Sequence, residues 1–524
     1  MNGCPDNRLR AVVKLLMVLI LLAGILPSPN VRAAEALPSA PKVLLVYDSL
    51  AKGTALEGNI ETMQRVLASF GAMVRLLPVE QYKTGTMQGY AYVIGVRNSS
   101  DPTMAPPEYE RELQQFSGGY LHIGLSPPSF VQAKLGLQLA SAESQTWTLA
   151  LGQLTQNAIR VGKLPIIVQH SGTASGGQWT STANPNWISP YAVRSDRLAY
   201  ASYMAGGNLS ETAIAQVVRE WMGVTSESRT YLLFKEVYPF SDLRLLERLA
   251  DQCYSAGIPF IVSVRPVFHN LDYPAMVRYL ETLKYVQFRN GSILVNAPVV
   301  ASTISQDTQS LKPLMNAFLN RLAEYGIAPL GMGAELYWAY DQVYAKDGMG
   351  FFDSVVLFPN RQLMHRAQLD TSQPFASALY SLPLSQLEEY DRTGKVMQPF
   401  PTDTALTLDM YESETELLTS LQKLVRSWIT FAEYKEMPHA VRTELNTIVS
   451  DKGALVLNGV TVGLDDKLME VSDEYAYVQE REAAFARLFN FQNTVFIAII
   501  LFTLAVFGVF FLIGYRLYKR KYYK

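Results

Sequence analysis

Histidine and cysteine are scarce in this chain, with five histidines and two cysteines in 524 residues. The histidines, His122, His170, His269, His365 and His439, lie far apart, so no short segment carries the paired imidazoles of a local metal site. Cys4 falls in an N-terminal segment expected to be removed, and it precedes the apolar run that a lipoprotein cysteine would follow. Cys253 is then left alone, which excludes an intramolecular disulfide. An exported domain of this size can rest on its core instead, so that absence fixes no compartment. A phosphate loop is missing too: "DSLAKGTALEGN" puts glycines and a lysine between a strand and a helix, without the required spacing. There is also no G-x-S-x-G turn to expose a nucleophile.

What is present is apolar: 49% of the residues are hydrophobic, enough for two or three domains with real cores. Two segments stand outside any fold argument. Arg8, Arg10 and Lys14 precede "LLMVLILLAGIL" and the small-residue exit "VRAAEA", which predicts a signal peptide over residues 1–33, with an uncleaved anchor as the alternative. "VFIAIILFTLAVFGVFFLIG", residues 495–514, is an uncharged run of membrane-spanning length. The tail, 515–524, carries Arg516, Lys519, Arg520, Lys521 and Lys524 and no acid, which predicts a cytoplasmic tail and an extracytoplasmic body in a single-pass membrane protein. The formal −2 of the chain, less +3 in the first 33 residues and +5 in the tail, leaves that body at −10. Such a balance argues against nucleic acid as a partner.

From Pro41 strands and helices alternate: "KVLLVYD", "NIETMQRVLASFGA", "VRLLPV", "YAYVIGV", "EYERELQQFSG", "YLHIGL". This predicts a parallel α/β sheet, continued from about residue 145 by a β-rich elaboration and closed by a helix for which Ser210 is the candidate N-cap, the whole domain covering 41–227. A second series follows over 228–436, with strands near 230–234, 258–265, 292–297, 327–332, 354–358, 376–382 and 405–409, and glycines stopping the helices in "YSAGIPFIV" and "AEYGIAPLG". Repeated βα units of this kind suggest a parallel barrel, complete or not. Residues 437–494 hold a hairpin at Asn458-Gly459 and a charged juxtamembrane helix with imperfect heptads. The expected fold class is therefore α/β: an N-terminal parallel α/β domain, a (β/α) barrel and a C-terminal transmembrane helix.

The stretch "YLLFKEVYPFSDLRLLERLADQCYSAGIPFIVSVRPVF" resembles the predicted-deacetylase branch of the polysaccharide deacetylase (NodB-homology) superfamily, on "VYPF" after the first barrel strand and "GIPFIVSVRPVF" on the next. The resemblance implies a deacetylase-like barrel with a divalent metal, often zinc, held by one carboxylate and two histidines while a second carboxylate acts as base. Here the position of the acid pair is held by Lys235-Glu236, with a lysine in place of the first acid, and Asn296 and Val300 stand where the histidines would. The metal-site histidines are thus missing, and no cofactor is expected, zinc or another divalent metal being required only if the protein is an active enzyme, with Glu236 as its ligand.

The sequence therefore points to a non-catalytic, membrane-anchored protein of cell-surface or exopolysaccharide biosynthesis that binds a glycan or acts as scaffold, its partners a polysaccharide and a membrane polysaccharide synthesis complex. Strand-end residues of a barrel line its pocket, which nominates Lys235, Glu236, Arg265, Asn296, Glu335 and Asp409, with Tyr337 or Trp338 as a stacking platform. Lys235 and Glu236 are remnants of catalytic positions on this reading. The alternative is a carbohydrate deacetylase or glycoside hydrolase with a rearranged acidic site built from Glu236, Glu335 or Asp409. A third reading makes the barrel only a spacer in a structural assembly factor.

Overall fold

The computed structural model describes residues 40–99, 105–298, 311–361, 370–390, 400–427, 429–463 and 480–522. The predicted signal peptide, Cys4, Val300, His365 and residues 464–479 of the predicted juxtamembrane helix lie outside these residues. The N-terminal region forms one sheet. Strands β1 (Lys42–Tyr47), β2 (Met73–Pro78), β3 (Tyr92–Arg97) and β4 (Gly119–Gly124) alternate with helices α1 (Asn59–Ser69) and α2 (Pro107–Gln115). Then come α3 (Ser129–Leu135), the long strands β5 (Gln138–Leu151) and β6 (Leu154–Gln169), β7 (Thr173–Ser181), β8 (Ile188–Ser195), β9 (Leu198–Ala201) and α4 (Ser210–Trp221). Among the described residues the order is β2-β1-β3-β4-β9-β8-β7-β5-β6, parallel as far as β9 and antiparallel beyond it. The β-rich elaboration is thus a continuation of the same sheet. Ser210 is not the N-cap of α4: that place belongs to Leu209, and the buried Ser210 hydroxyl instead bonds the backbone of Ala205. The side chain of Asn208 accepts from the Ser210 N–H just ahead of the helix.

The second region is a closed barrel of seven parallel strands: β10 (Thr230–Val237), β11 (Phe260–Val264), β12 (Gly291–Asn296), β13 (Pro329–Glu335), β14 (Ser354–Phe358), β15 (Ser377–Pro383) and β16 (Thr404–Asp409). The ring closes where β10 pairs with β16. Helices α5 (Leu243–Ser255), α6 (Pro274–Phe288), α7 (Leu311–Glu324), α8 (Leu384–Tyr390) and α9 (Glu414–Arg426) follow individual strands. Because both faces of each strand are covered, the strands read as mainly apolar runs, and β11, β12 and β14 are buried at every residue. Helix ends follow local chemistry. The Asp242 carboxylate caps α5, Ser413 and Glu416 form a capping box on α9, and Gly257 and Gly326 stop α5 and α7 at φ 66° and 72°.

Strands β17 (His439–Arg442), β18 (Thr447–Asp451), β19 (Ala454–Leu457) and β20 (Val460–Thr461) make a small antiparallel sheet. It is tied to the side of the barrel where the strands begin. Phe352, ahead of β14, bridges Val441; the Ala440 N–H donates to Asp353; Lys435 donates to Asn290, ahead of β12. His439, buried and pushed below its usual pKa by that burial, lies between the Ser354 hydroxyl and the Tyr434 carbonyl. The final element, α10 (Glu480–Tyr522), contains Val495–Arg520, long and apolar enough to cross a membrane.

The N-terminal region is fastened along the flank of the barrel, from the Glu61–Asn360 contact beyond the end of β14 to the Ser69–Thr402 contact ahead of β16. The outer edge of β2 is covered by the segment after β14: Arg75 bridges Thr371, the Leu76 N–H donates to Asp370, and the Ser372 N–H donates to Val74. An exposed edge strand is thereby removed. From α1, Arg65 donates to the carbonyls of Leu357 at 3.3 Å and Ser381 at 2.7 Å, with its guanidinium 4.4 Å from the centre of the Tyr380 ring.

Candidate functional site

The barrel strands end in a charged cluster, and its geometry starts from an irregularity in β10. Pairing with β11 slips between Phe234 and Val237, and Glu236 takes φ 65°. A non-glycine residue in the left-handed region costs of order 1 kcal/mol, so the surrounding contacts must hold it there. The bulge lets two successive side chains reach strand-end partners, where a regular strand would send them to opposite faces.

Glu236 is 2% exposed and three cations meet its Oε1. Arg265, from the end of β11, places Nη2 at 3.1 Å; Lys235 Nζ lies at 3.8 Å; Arg361, just beyond β14, forms a third ion pair. The other oxygen, Oε2, is buried and has no hydrogen-bond partner among the described residues, and the same holds for Arg265 Nε. Leaving a buried polar atom unpaired costs about 1–3 kcal/mol, more when the group is charged. Lys235 also stands 3.8 Å from Asp409, its register partner on β16, and 5.1 Å from the centre of the Phe358 ring. Its ammonium is pushed below the usual lysine range by burial, against the pull of Asp409. Arg361 Nε is 3.8 Å from Glu335, whose carboxyl is pushed up, chiefly by burial.

The residues present do not fit the metal centre implied by the deacetylase resemblance. A divalent cation on Glu236 would sit among an ammonium and two guanidinium groups, which repel it and already occupy Oε1. Asn296 Oδ1 accepts the Ser263 hydroxyl at 2.6 Å, and Gly333 keeps that site open, since a Cβ there would lie 2.5 Å from the same oxygen. Among the described residues no group of three or more His, Cys, Asp or Glu side chains is placed to hold a metal ion.

Beside the cluster lies an aromatic ledge. Tyr238 and Phe240, on the loop after β10, stack with ring centres 4.8 Å apart, and Tyr411, after β16, lies 5.9 Å from Tyr238. Phe240 is 64% and Tyr411 60% exposed, so two of the three rings of the group are open to solvent. Arg265 stands 5.8 Å over the Tyr238 ring and joins the ledge to the charges. On the far side the N-terminal region reaches the same rim. Asn360 donates to Glu61, in the first turn of α1, at 2.9 Å, and its carbonyl oxygen accepts from the Tyr337 N–H at 3.1 Å. Burial raises the Glu61 carboxyl to about 7, with Asn360 and Arg65 opposing and Glu335 adding to the rise.

Of the residues nominated from sequence, Lys235, Glu236, Arg265, Asn296, Glu335 and Asp409 all stand at C-terminal ends of barrel strands or one residue beyond. The structure joins Lys235, Glu236, Arg265 and Asp409 directly and Glu335 through Arg361, while Asn296 faces Ser263. Trp338 needs correcting as a stacking platform: it is 1% exposed, packed on Tyr344 at 4.5 Å, and belongs to the core. A short helical turn, Leu336–Ala339, rolls it inward. Tyr337 is half-buried. Arg361, Glu61, Asn360, Tyr238, Phe240 and Tyr411 were missed. The strand-end rule applied to "VVLFPNR" finds Arg361, and the aromatics of "VYPF" carry no sequence sign that they form a surface. Nothing in the sequence signals Glu61.

No protein-family model matches the chain, and no curated protein matches it. A crystal structure of an uncharacterized B. cereus protein aligns at 12% identity over 42% of this chain and 70% of that one, with a TM-score of 0.17. A crystal structure of beta-arabinopyranosidase aligns at 9% identity over 61% of this chain and 60% of that one, with a TM-score of 0.22. Similarities this weak establish neither a shared fold nor a shared activity.

Proposed function

We propose that this chain is a membrane-anchored, extracytoplasmic protein whose degenerate deacetylase-like barrel holds a glycan at its mouth, without metal and without catalysis. The observation that carries the reading is the aromatic ledge of Tyr238, Phe240 and Tyr411 standing open beside a strand-end cluster of charges. Apolar ring faces next to fixed hydrogen-bonding groups suit a ligand with apolar faces and a hydroxylated edge, which describes a sugar ring. Val495–Arg520 would anchor the protein, with the basic tail on the cytoplasmic side. An anchored glycan-binding body fits a place beside a membrane polysaccharide synthesis complex.

The test is equilibrium binding of the full-length protein, in detergent, to a panel of soluble oligosaccharides, with Tyr411→Ala and Phe240→Ala as variants. Binding by the wild type that weakens at least tenfold in either variant supports the reading; no binding across the panel, or binding indifferent to both substitutions, rejects it. Glu335 favours a second reading, a hydrolase with a rearranged acidic site, because its carboxyl is pushed up and so holds a proton to higher pH than an ordinary glutamate. Turnover of an oligosaccharide that is abolished by Glu335→Gln would establish that reading in place of the first.

A further inference from the structure

We infer that the mouth recognises an uncharged sugar through two neighbouring hydroxyls, one donating to Glu236 Oε2 and the other accepting from Arg265 Nε. The inference rests on the glycan reading of the mouth and adds what that reading leaves open, the chemistry of the recognised edge. Its starting point is that both atoms are buried and lack a hydrogen-bond partner among the described residues. They are also neighbours by covalent geometry. Glu236 Oε1 and Arg265 Nη2 are 3.1 Å apart, and each orphan atom shares a carboxyl or guanidinium carbon with a member of that pair. One acceptor and one donor therefore belong to the same ion pair without bonding each other, close enough for one small ligand to reach both.

The chemistry of the two orphans selects the ligand group. A carboxylate oxygen only accepts, and a guanidinium N–H only donates; a hydroxyl does both, so a pair of adjacent hydroxyls answers both atoms with the same functional group. Charge argues in the same direction. Lys235, Arg265 and Arg361 are matched around the mouth by Glu236, Glu335 and Asp409. An anionic sugar would meet three carboxylates and a cationic one three basic groups, whereas a neutral ring disturbs neither set. The cluster is built for this position, since the β10 bulge holds Glu236 at φ 65° and turns its carboxylate to Arg265. Arg361, whose side chain at 54% is the most exposed of the cluster, is the member a ligand would displace to reach the buried pair.

The experiment compares neutral hexose oligomers with hexuronate oligomers of equal length, binding to the full-length protein in detergent. It uses the wild type, Glu236→Gln and Tyr411→Ala, and adds neutral oligomers whose ring hydroxyls are methylated. The expected result is preference for the neutral series, a loss of roughly 10- to 100-fold in Glu236→Gln, as for a hydrogen bond to a charged group, and a similar loss on methylation. The methylated series keeps the test intact should Glu236→Gln fail to fold. Binding that needs Tyr411 but ignores both Glu236→Gln and methylation overturns this inference and leaves the ledge reading standing, as does preference for hexuronates. Absence of binding to every oligomer overturns both.

Discussion

Glu61→Gln should stabilise the protein at alkaline pH and leave it nearly unchanged in mild acid. In the folded protein the Glu61 carboxyl is raised from its usual 4.5 to about 7 by burial at the rim between α1 and the barrel. Its folded pKa is therefore the higher one, so folding favours the protonated form. The associated stability is complete below about pH 4.5 and is lost as pH rises through about 7. A fully buried group raised this far would lose ~3 kcal/mol, and partial exposure cuts the figure to ~1–2 kcal/mol. Glutamine keeps a carbonyl oxygen for the Asn360 amide at 2.9 Å and cannot ionise. Urea denaturation of wild type and variant at pH 5 and pH 8.5 measures the effect directly. The variant should gain ~1–2 kcal/mol on the wild type at pH 8.5 and little at pH 5. Parallel behaviour at both pH values, or a variant less stable at pH 8.5, would refute the placement of Glu61 in a desolvated rim.

Three further outcomes follow from other contacts. After incubation with zinc, cobalt or manganese and desalting, the protein should retain no stoichiometric metal, because Glu236 Oε1 is already met by three cations; one equivalent that disappears in Glu236→Ala would contradict this. Arg65→Ala should cost about 2–4 kcal/mol of stability, since it leaves the Leu357 and Ser381 carbonyls short of a donor and removes the cation over Tyr380. A loss in urea denaturation of less than about 0.5 kcal/mol would show that this contact does not hold the two regions together. The full chain should stay with membranes on alkaline extraction and be released when Val495–Arg520 is deleted; release of the intact chain would reject the anchor.

The barrel strands were legible because a strand covered on both faces must be apolar throughout, and "YLLF", "FIVSV" and "SVVLF" are so with little interruption. Closure was not legible, since it depends on β10 meeting β16 across some 170 residues of sequence, a pairing that leaves no local trace. β7 leaves no strand pattern in the sequence because "TASGGQWTS" is rich in Gly, Ser and Thr; its Gly176 and Gly177 take positive φ at an irregular step against β8. At the mouth, position at a strand end was readable but direction was not. Lys235 and Glu236 meet each other at a bulge, and Trp338 turns into the core where a helical turn follows β13. Glu61 and Asn360 meet across the junction of two regions, and periodicity in either one carries no information about that contact.

The most direct test of a metal-free glycan site at the barrel mouth is a crystal structure grown in the presence of a chelator and soaked with the neutral oligosaccharide that binds best. The account predicts a sugar ring against Tyr411 and Phe240 with a hydroxyl within hydrogen-bond distance of Glu236 Oε2 and Arg361 displaced. Sugar bound elsewhere on the molecule, or a metal ion on Glu236 in a chelator-free crystal, would contradict it.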